Sequence, residues 1–226
     1  MAKYNPDVHH RQSARLKDYD YSQSGAYFIT ICAQNRKCLF GEIKNAEMEL
    51  NEAGKMVQAV WKELPQYHPG FEMDGFVAMP NHVHGIILLA ENVGVGLRAY
   101  PPANTGKTSQ QTEQPKQKTG QPPLKTGQPR RAAPTITLPD IVHHFKSFTT
   151  AQYRQNVAKF DWPPFPGKLW QRNYFEHIIC SDESLYRIRE YIANNPARWE
   201  FDLENPTGNP DKREGNFWKT VGVAIG

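Results

Sequence analysis

The stretch Met79-Pro-Asn-His-Val-His-Gly-Ile-Ile-Leu-Leu89 decides how this chain is read. Val83 and the run Ile86 to Leu89 are β-branched or aliphatic, so a buried strand is expected, entered through a Pro80-Asn81 turn. On a strand, residues two apart share a face. His82 and His84 therefore look out on one side while Val83 packs on the other. Two imidazoles so placed form a ready bidentate site for a divalent cation. The alternative is a pair of satisfied structural histidines, and a second group from elsewhere in the chain has to decide between the two.

Outward from this stretch, Phe71 to Met79 reads as a second strand whose tight connection implies an antiparallel pair. Ala26-Tyr-Phe-Ile-Thr-Ile-Cys-Ala33 is an earlier strand by its β-formers, followed by a polar turn over Gln34 to Lys37. Between them, Leu50 to Leu64 carries Met56, Val57, Val60, Trp61 and Leu64 at helical spacing, with Asn51 as N-cap and Pro65 as the stop. Leu138 to Thr149 begins a second helix with Asp140 as its cap and Ile141, Phe145 and Phe148 as its apolar stripe. His143, Lys146, Thr149 and Thr150 fall on or near another face, either a surface for phosphates or a solvated one. Trp170 to Cys180 reads as the last strand. Ser181-Asp-Glu then opens a third helix, with acids in the first turn where the dipole favours them, running to Asn195 and ended by Pro196. Strands and helices interleaved in this order, with one antiparallel pair among them, agree with an α+β fold, an antiparallel sheet with helices packed on it.

The 226 residues suffice for one sizeable core or a core with an extension. No run approaches the roughly 20 apolar residues of a membrane span, so no membrane partner is expected. Three scattered cysteines, Cys32, Cys38 and Cys180, give neither a disulfide framework nor a zinc knuckle, which makes a reducing cytoplasm the expected setting. The net charge of +4 is uneven: residues 98–131 alone carry +6, and the remainder −2. That basic stretch belongs to a segment, about 98–135, with seven prolines and a repeated Lys-Thr-Gly-Gln-Pro at 118–122 and 125–129. It has no periodic apolar face to offset its ordering entropy and is expected to be a disordered insertion inside one domain. The expected organisation is an N-terminal arm over 1–24, a domain over 25–203 with that insertion, and a tail over 204–226. In the arm, Arg11 and Arg15 are interleaved with Tyr4, Tyr19 and Tyr21, a mixture suited to phosphate contact and base stacking, or to a loosely docked terminus.

The third helix supplies what the histidine pair lacks. Leu185, Ile188 and Ile192 should face the core, while Arg187, Tyr191 and Asn195 follow one another at i+4 on a neighbouring stripe. A phenolate at Tyr191 can attack phosphorus while the Asn195 oxygen completes a metal's coordination beside it. With an ordinary pKa of about 10, the phenol needs a nearby cation to ionise at neutral pH. A half-buried packing tyrosine is the other reading of the same spacing.

Taken together, Pro80-Asn-His-Val-His-Gly, Trp170-Gln-Arg-Asn-Tyr-Phe-Glu-His-Ile-Ile and Tyr191-Ile-Ala-Asn-Asn-Pro-Ala-Arg-Trp199 resemble the single-tyrosine HUH transposases of the IS200/IS605 type, in the branch of the REP-associated tyrosine transposases. The resemblance runs from about residue 20 to 203, with the motifs in the family's order. It implies an HUH, ferredoxin-like α/β sandwich. It implies that His82, His84 and Asn195 hold Mg²⁺ or Mn²⁺ and that Tyr191 is the nucleophile. The implied reaction cleaves and rejoins single-stranded DNA beside a hairpin through a 5′-phosphotyrosine link, in a nucleoid-associated monomer or homodimer. Lys146, Arg172 and Arg187, with Arg11 and Arg15 of the arm, are the candidate phosphate contacts, and Trp170 the candidate for base stacking. Two other functions stay open at this level. One is a non-catalytic hairpin binder derived from the same fold. The other is a metallohydrolase with a water nucleophile, against which stands the lack of a carboxylate at obvious ligand spacing.

Overall fold

A computed structural model describes residue 20 and residues 23–67, 70–90, 136–209 and 217–218. The predicted insertion, almost all of the predicted arm with Arg11 and Arg15, and most of the tail lie outside the described residues.

The His-x-His stretch is strand β5 (His82–Leu89), and it lies inside a four-stranded sheet. Its antiparallel neighbours are β4 (Phe71–Ala78) and β1 (Gly25–Cys32), and β6 (Phe175–Ile179) closes the far edge in the order β4-β5-β1-β6. Alternation then fixes what each face carries. Tyr27, Ile29 and Ile31 of β1 and Val83, Ile87 and Leu89 of β5 enter the main core with α1 (Glu52–Tyr67) and α2 (Leu138–Phe160). Phe28 of β1 and Ile86 of β5 turn the other way, toward α3 (Asp182–Asn194). The sheet is thus covered on both faces, the α+β sandwich expected from the sequence.

Gly85 makes the larger core possible. A Cβ at this position would stand 2.4 Å from the indole of Trp61, which is 2% exposed. The missing side chain lets α1 lay its tryptophan directly on β5.

Several sequence-based expectations need correction. Pro65 does not stop α1, which contains it and runs on to Tyr67. A proline near a helix end forfeits one hydrogen bond, but its fixed φ is itself helical. Asn51 does serve the start, its Oδ1 accepting from the Gly54 N–H at 2.9 Å. The cap of α2 is Thr137, not Asp140. Asp140 sits three residues in, and its carboxylate accepts from the Thr137 N–H at 3.1 Å, completing a capping box. On α2 the stripe takes Val142 and Thr149 in place of Phe148, which is 39% exposed and pairs at the surface with Tyr67. The last strand begins at Phe175 rather than Trp170, which makes only an isolated bridge to Ala33. A hairpin of β2 (Gly41–Lys44) and β3 (Glu47–Leu50) went unforeseen, and the predicted start of α1 at Leu50 belongs to it.

Candidate metal and nucleophile site

Register places the first partners. Thr30 of β1 lies opposite His84 on the same face, and its Oγ1 meets His84 Nδ1 at 2.8 Å. Asn81, just before β5, meets His82 Nδ1 through its Oδ1 at 2.8 Å. The orientation of that amide is forced, because its Nδ2 donates to the backbone carbonyls of Arg36 at 3.1 Å and Glu204 at 2.7 Å. Asn81 therefore offers His82 only an acceptor, so the Nδ1 of His82 carries the proton and its Nε2 keeps a free lone pair.

That lone pair faces His84, the two Nε2 atoms being 2.9 Å apart. Burial pushes the His84 imidazole down to about 3. Burial, the neighbouring His84 and the Arg36 charge hold His82 well below its usual range. Both rings are thus neutral at pH 7, the form that binds metals. Asp202, itself buried, brings a carboxylate oxygen to 3.5 Å from His82 Nε2, and the three residues offer ligand atoms all within 4.8 Å of one another. The Oδ1 of Asn195 is buried with no hydrogen-bond partner. In the tautomer in which His84 Nδ1–H donates to Thr30 Oγ1, the two Nε2 lone pairs and the oxygens of Asp202 and Asn195 converge here. That donor set fits a divalent cation.

Helix α3 delivers Tyr191 to the same place. Ser181 caps it through a bond from the Ser184 N–H at 3.1 Å, and Ile188 and Ile192 bury its inner face. The Tyr191 ring lies 5.3 Å from that of His84, edge-on to Phe28 and stacked on Phe217 at 4.9 Å, with Trp218 beside it. The ring therefore joins the smaller core and also borders the histidine pair. Tyr191 and Asn195 line one cleft together with Arg198, Phe201 and Asp202.

The other predicted contact residues fare differently. Trp170 is 3% exposed, packs on Phe40 and Phe145, and donates its Nε1–H to Thr149 Oγ1 at 2.8 Å, so it cannot stack on a base. Thr149 is likewise buried and not a surface group. Lys146 spends its ammonium on the carbonyls of Gln171, Arg172 and Asn173 at 3.0 to 3.2 Å. Arg187 is paired with Glu183 on its own helix. Arg172 is exposed.

Asp202 and Arg198 are the residues that sequence reasoning passed over. Both lie past Pro196 in a 3₁₀ turn and its exit, the turn spanning Pro196–Phe201. The signal for Arg198 was present, since Tyr191, Asn195 and Arg198 keep spacings of four and three.

No family model matches the chain. An uncharacterized protein of Haemophilus influenzae is 41% identical over 206 residues, covering 88% of this chain and 96% of its own. A second protein of that organism, the "Putative REP-associated tyrosine transposase", is 23% identical over 181 residues, covering 79% of this chain and 74% of its own. The resemblance first read from three short motifs thus extends along most of the chain. Among solved structures, a REP-associated tyrosine transposase bound to a REP hairpin superposes with a TM-score of 0.46 at 16% identity, over 81% of this chain and 74% of that one. A "putative transposase" from Deinococcus radiodurans gives 0.37 at 15% identity, over 80% and 95%.

Proposed function

The chain belongs to one family with that uncharacterized Haemophilus influenzae protein, and we propose that it is a metal-dependent DNA strand transferase acting on single-stranded, hairpin-flanked DNA. The observation that carries this reading is the meeting of Tyr191 and the His82–His84 pair, from elements about a hundred residues apart, at one site with the buried oxygens of Asn195 and Asp202. A metallohydrolase would need no phenol there.

His82, His84 and Asp202 would hold the cation, with Asn195 as the oxygen ligand that the resemblance implies, and Mg²⁺ or Mn²⁺ is the proposed ion. When bound, it supplies charge stabilisation at the scissile phosphate. The remaining work belongs to the chain. Thr30 and Asn81 hold the imidazoles in place, and the packing of Phe28 and Ile188 around Tyr191 fixes the ring so that its oxygen is presented in one direction. The Tyr191 oxygen forms a bond to phosphorus as the bond from phosphorus to the 3′ oxygen breaks. The phenolic proton passes to solvent, and the departing 3′ oxygen gains one to become a hydroxyl. The product is a 5′-phosphotyrosine link that keeps the ester, so rejoining is the same exchange in reverse.

The test is incubation with labelled single-stranded hairpin DNA and Mn²⁺, followed by denaturing electrophoresis. A covalent band is expected from the wild type and none from Tyr191→Phe, which should still bind the DNA. Tight binding without any band from the wild type would make the protein a non-catalytic hairpin binder. Arg11 and Arg15 of the arm are proposed as flanking DNA contacts, in a cytoplasmic, nucleoid-associated monomer or homodimer.

A further inference from the structure

The cations nearest the site are mostly engaged. Arg36 is held by Glu204 at 2.8 Å, Arg187 by Glu183, Arg189 by Asp74, and Lys146 by three carbonyls. Arg198 differs. Its backbone N–H is fixed to the Asn195 carbonyl at 3.0 Å, which anchors the residue on the turn that leaves α3. Its guanidinium carbon stands 6.0 Å from the Tyr191 ring centroid, over the ring. The side chain is half-buried and lines the same cleft as Tyr191, Asn195 and Asp202, and among the described residues no carboxylate pairs with it.

The cleft presents the Asp202 carboxylate and the Asn195 oxygen to an entering anion, and a cation in its wall offsets them. We infer that Arg198 is the residue that grips the scissile phosphodiester, its planar fork meeting the non-bridging oxygens beside Tyr191. The fork matches phosphate oxygens two at a time. Its stem rises from a backbone tied to Asn195 and its guanidinium rests over the Tyr191 ring, so the donor already stands in the cleft where charge builds on phosphorus. The inference rests on the strand-transfer reading and names the protein group that receives the phosphate.

The experiment begins by exposing the wild type to a pool of single-stranded stem-loop oligonucleotides with Mn²⁺ and sequencing the covalently captured strands to locate the cleaved bond. That substrate is then made with either the natural phosphodiester or an uncharged methylphosphonate at the bond. Rates of adduct formation at saturating DNA are compared for the wild type and Arg198→Gln. The Gln variant should be slower by about 100-fold on the natural bond, with DNA affinity changed less than about threefold because most other phosphate contacts remain. The methylphosphonate should slow the wild type more than the variant, which has already lost one of the two positive partners of the phosphate and keeps only the cation's share. Should the Gln chain fail to melt cooperatively, Arg198→Met makes the same comparison with a neutral side chain of similar length. An undiminished methylphosphonate penalty in the neutral variant overturns the assignment of Arg198. A wild type that captures no strand at all overturns the strand-transfer reading itself, a result recognisable before any variant is made.

Discussion

The Nε2 atoms of His82 and His84 face each other at 2.9 Å, and the proton of His82 sits on the far side of its ring, held by Asn81. Asn81 is therefore as much a part of the site as the histidines. Replacing it with Ala frees His82 to change tautomer, and Mn²⁺ affinity should fall by about 10- to 100-fold. Electron paramagnetic resonance of free Mn²⁺ during a protein titration reads this directly. Unchanged affinity in a folded Asn81→Ala chain would remove Asn81 from the site.

The neutral, buried histidines also predict how the metal-free protein responds to acid. In the unfolded chain each ring takes a proton near its ordinary pKa of about 6.5, whereas in the folded chain His84 stays neutral down to about 3 and His82 is held well below its usual range. Between those limits the unfolded state binds more protons, so acidification favours unfolding. Each histidine should cost about 1 kcal/mol per pH unit below about 6.5 and nothing above it. Urea melts in chelator from pH 7 to pH 5 should show His84→Gln losing stability less steeply than the wild type. Parallel slopes would contradict the buried neutral state.

Gly85 is a packing requirement of the strand that carries the site. In Gly85→Ala the added methyl meets the buried Trp61 indole at 2.4 Å, so the ring or the strand must shift within a packed core. A loss of about 1–3 kcal/mol is expected, read from denaturant midpoints. A midpoint within error of the wild type would show that α1 can shift freely on the sheet.

For Trp170 the structure predicts a stability phenotype and no binding phenotype. Trp170→Phe loses the bond to Thr149 Oγ1 and leaves a small void against Phe40 and Phe145. Destabilisation by about 1–3 kcal/mol should follow, with the folded fraction binding single-stranded DNA as the wild type does. A selective fall in DNA affinity at unchanged stability would restore the base-stacking role.

The fold and the site were legible in the sequence only in part. The two-residue period of β5 and the seven-residue spacing of Leu185 and Ile192 were strong enough to place both halves of the site, because each element is held by tertiary burial on a clean face. The β2–β3 hairpin was missed although Glu42, Ile43, Lys44 and Glu47, Met48, Glu49 alternate. Its turn uses Ala46 at a φ of 65°, where glycine would have signalled a hairpin. Trp170 misled because aromatic, cation and amide together describe a nucleic-acid contact and a buried hydrogen-bonded indole equally well. Asp202 could not be read at all. Nothing local marks it, and its role comes from a turn that carries it back to a strand 120 residues earlier, where the Asp202 carboxylate meets His82 at 3.5 Å.

The carbonyl of Glu204 that steadies Asn81 belongs to the same turn. A nascent chain has β5 and both of its neighbours, β4 and β1, long before this segment is made. Until it emerges, His82 lacks its carboxylate neighbour and Asn81 lacks one of the two carbonyls that orient its amide. The site is thus incomplete through most of synthesis, and a late-made segment completes a centre whose histidines were laid down long before.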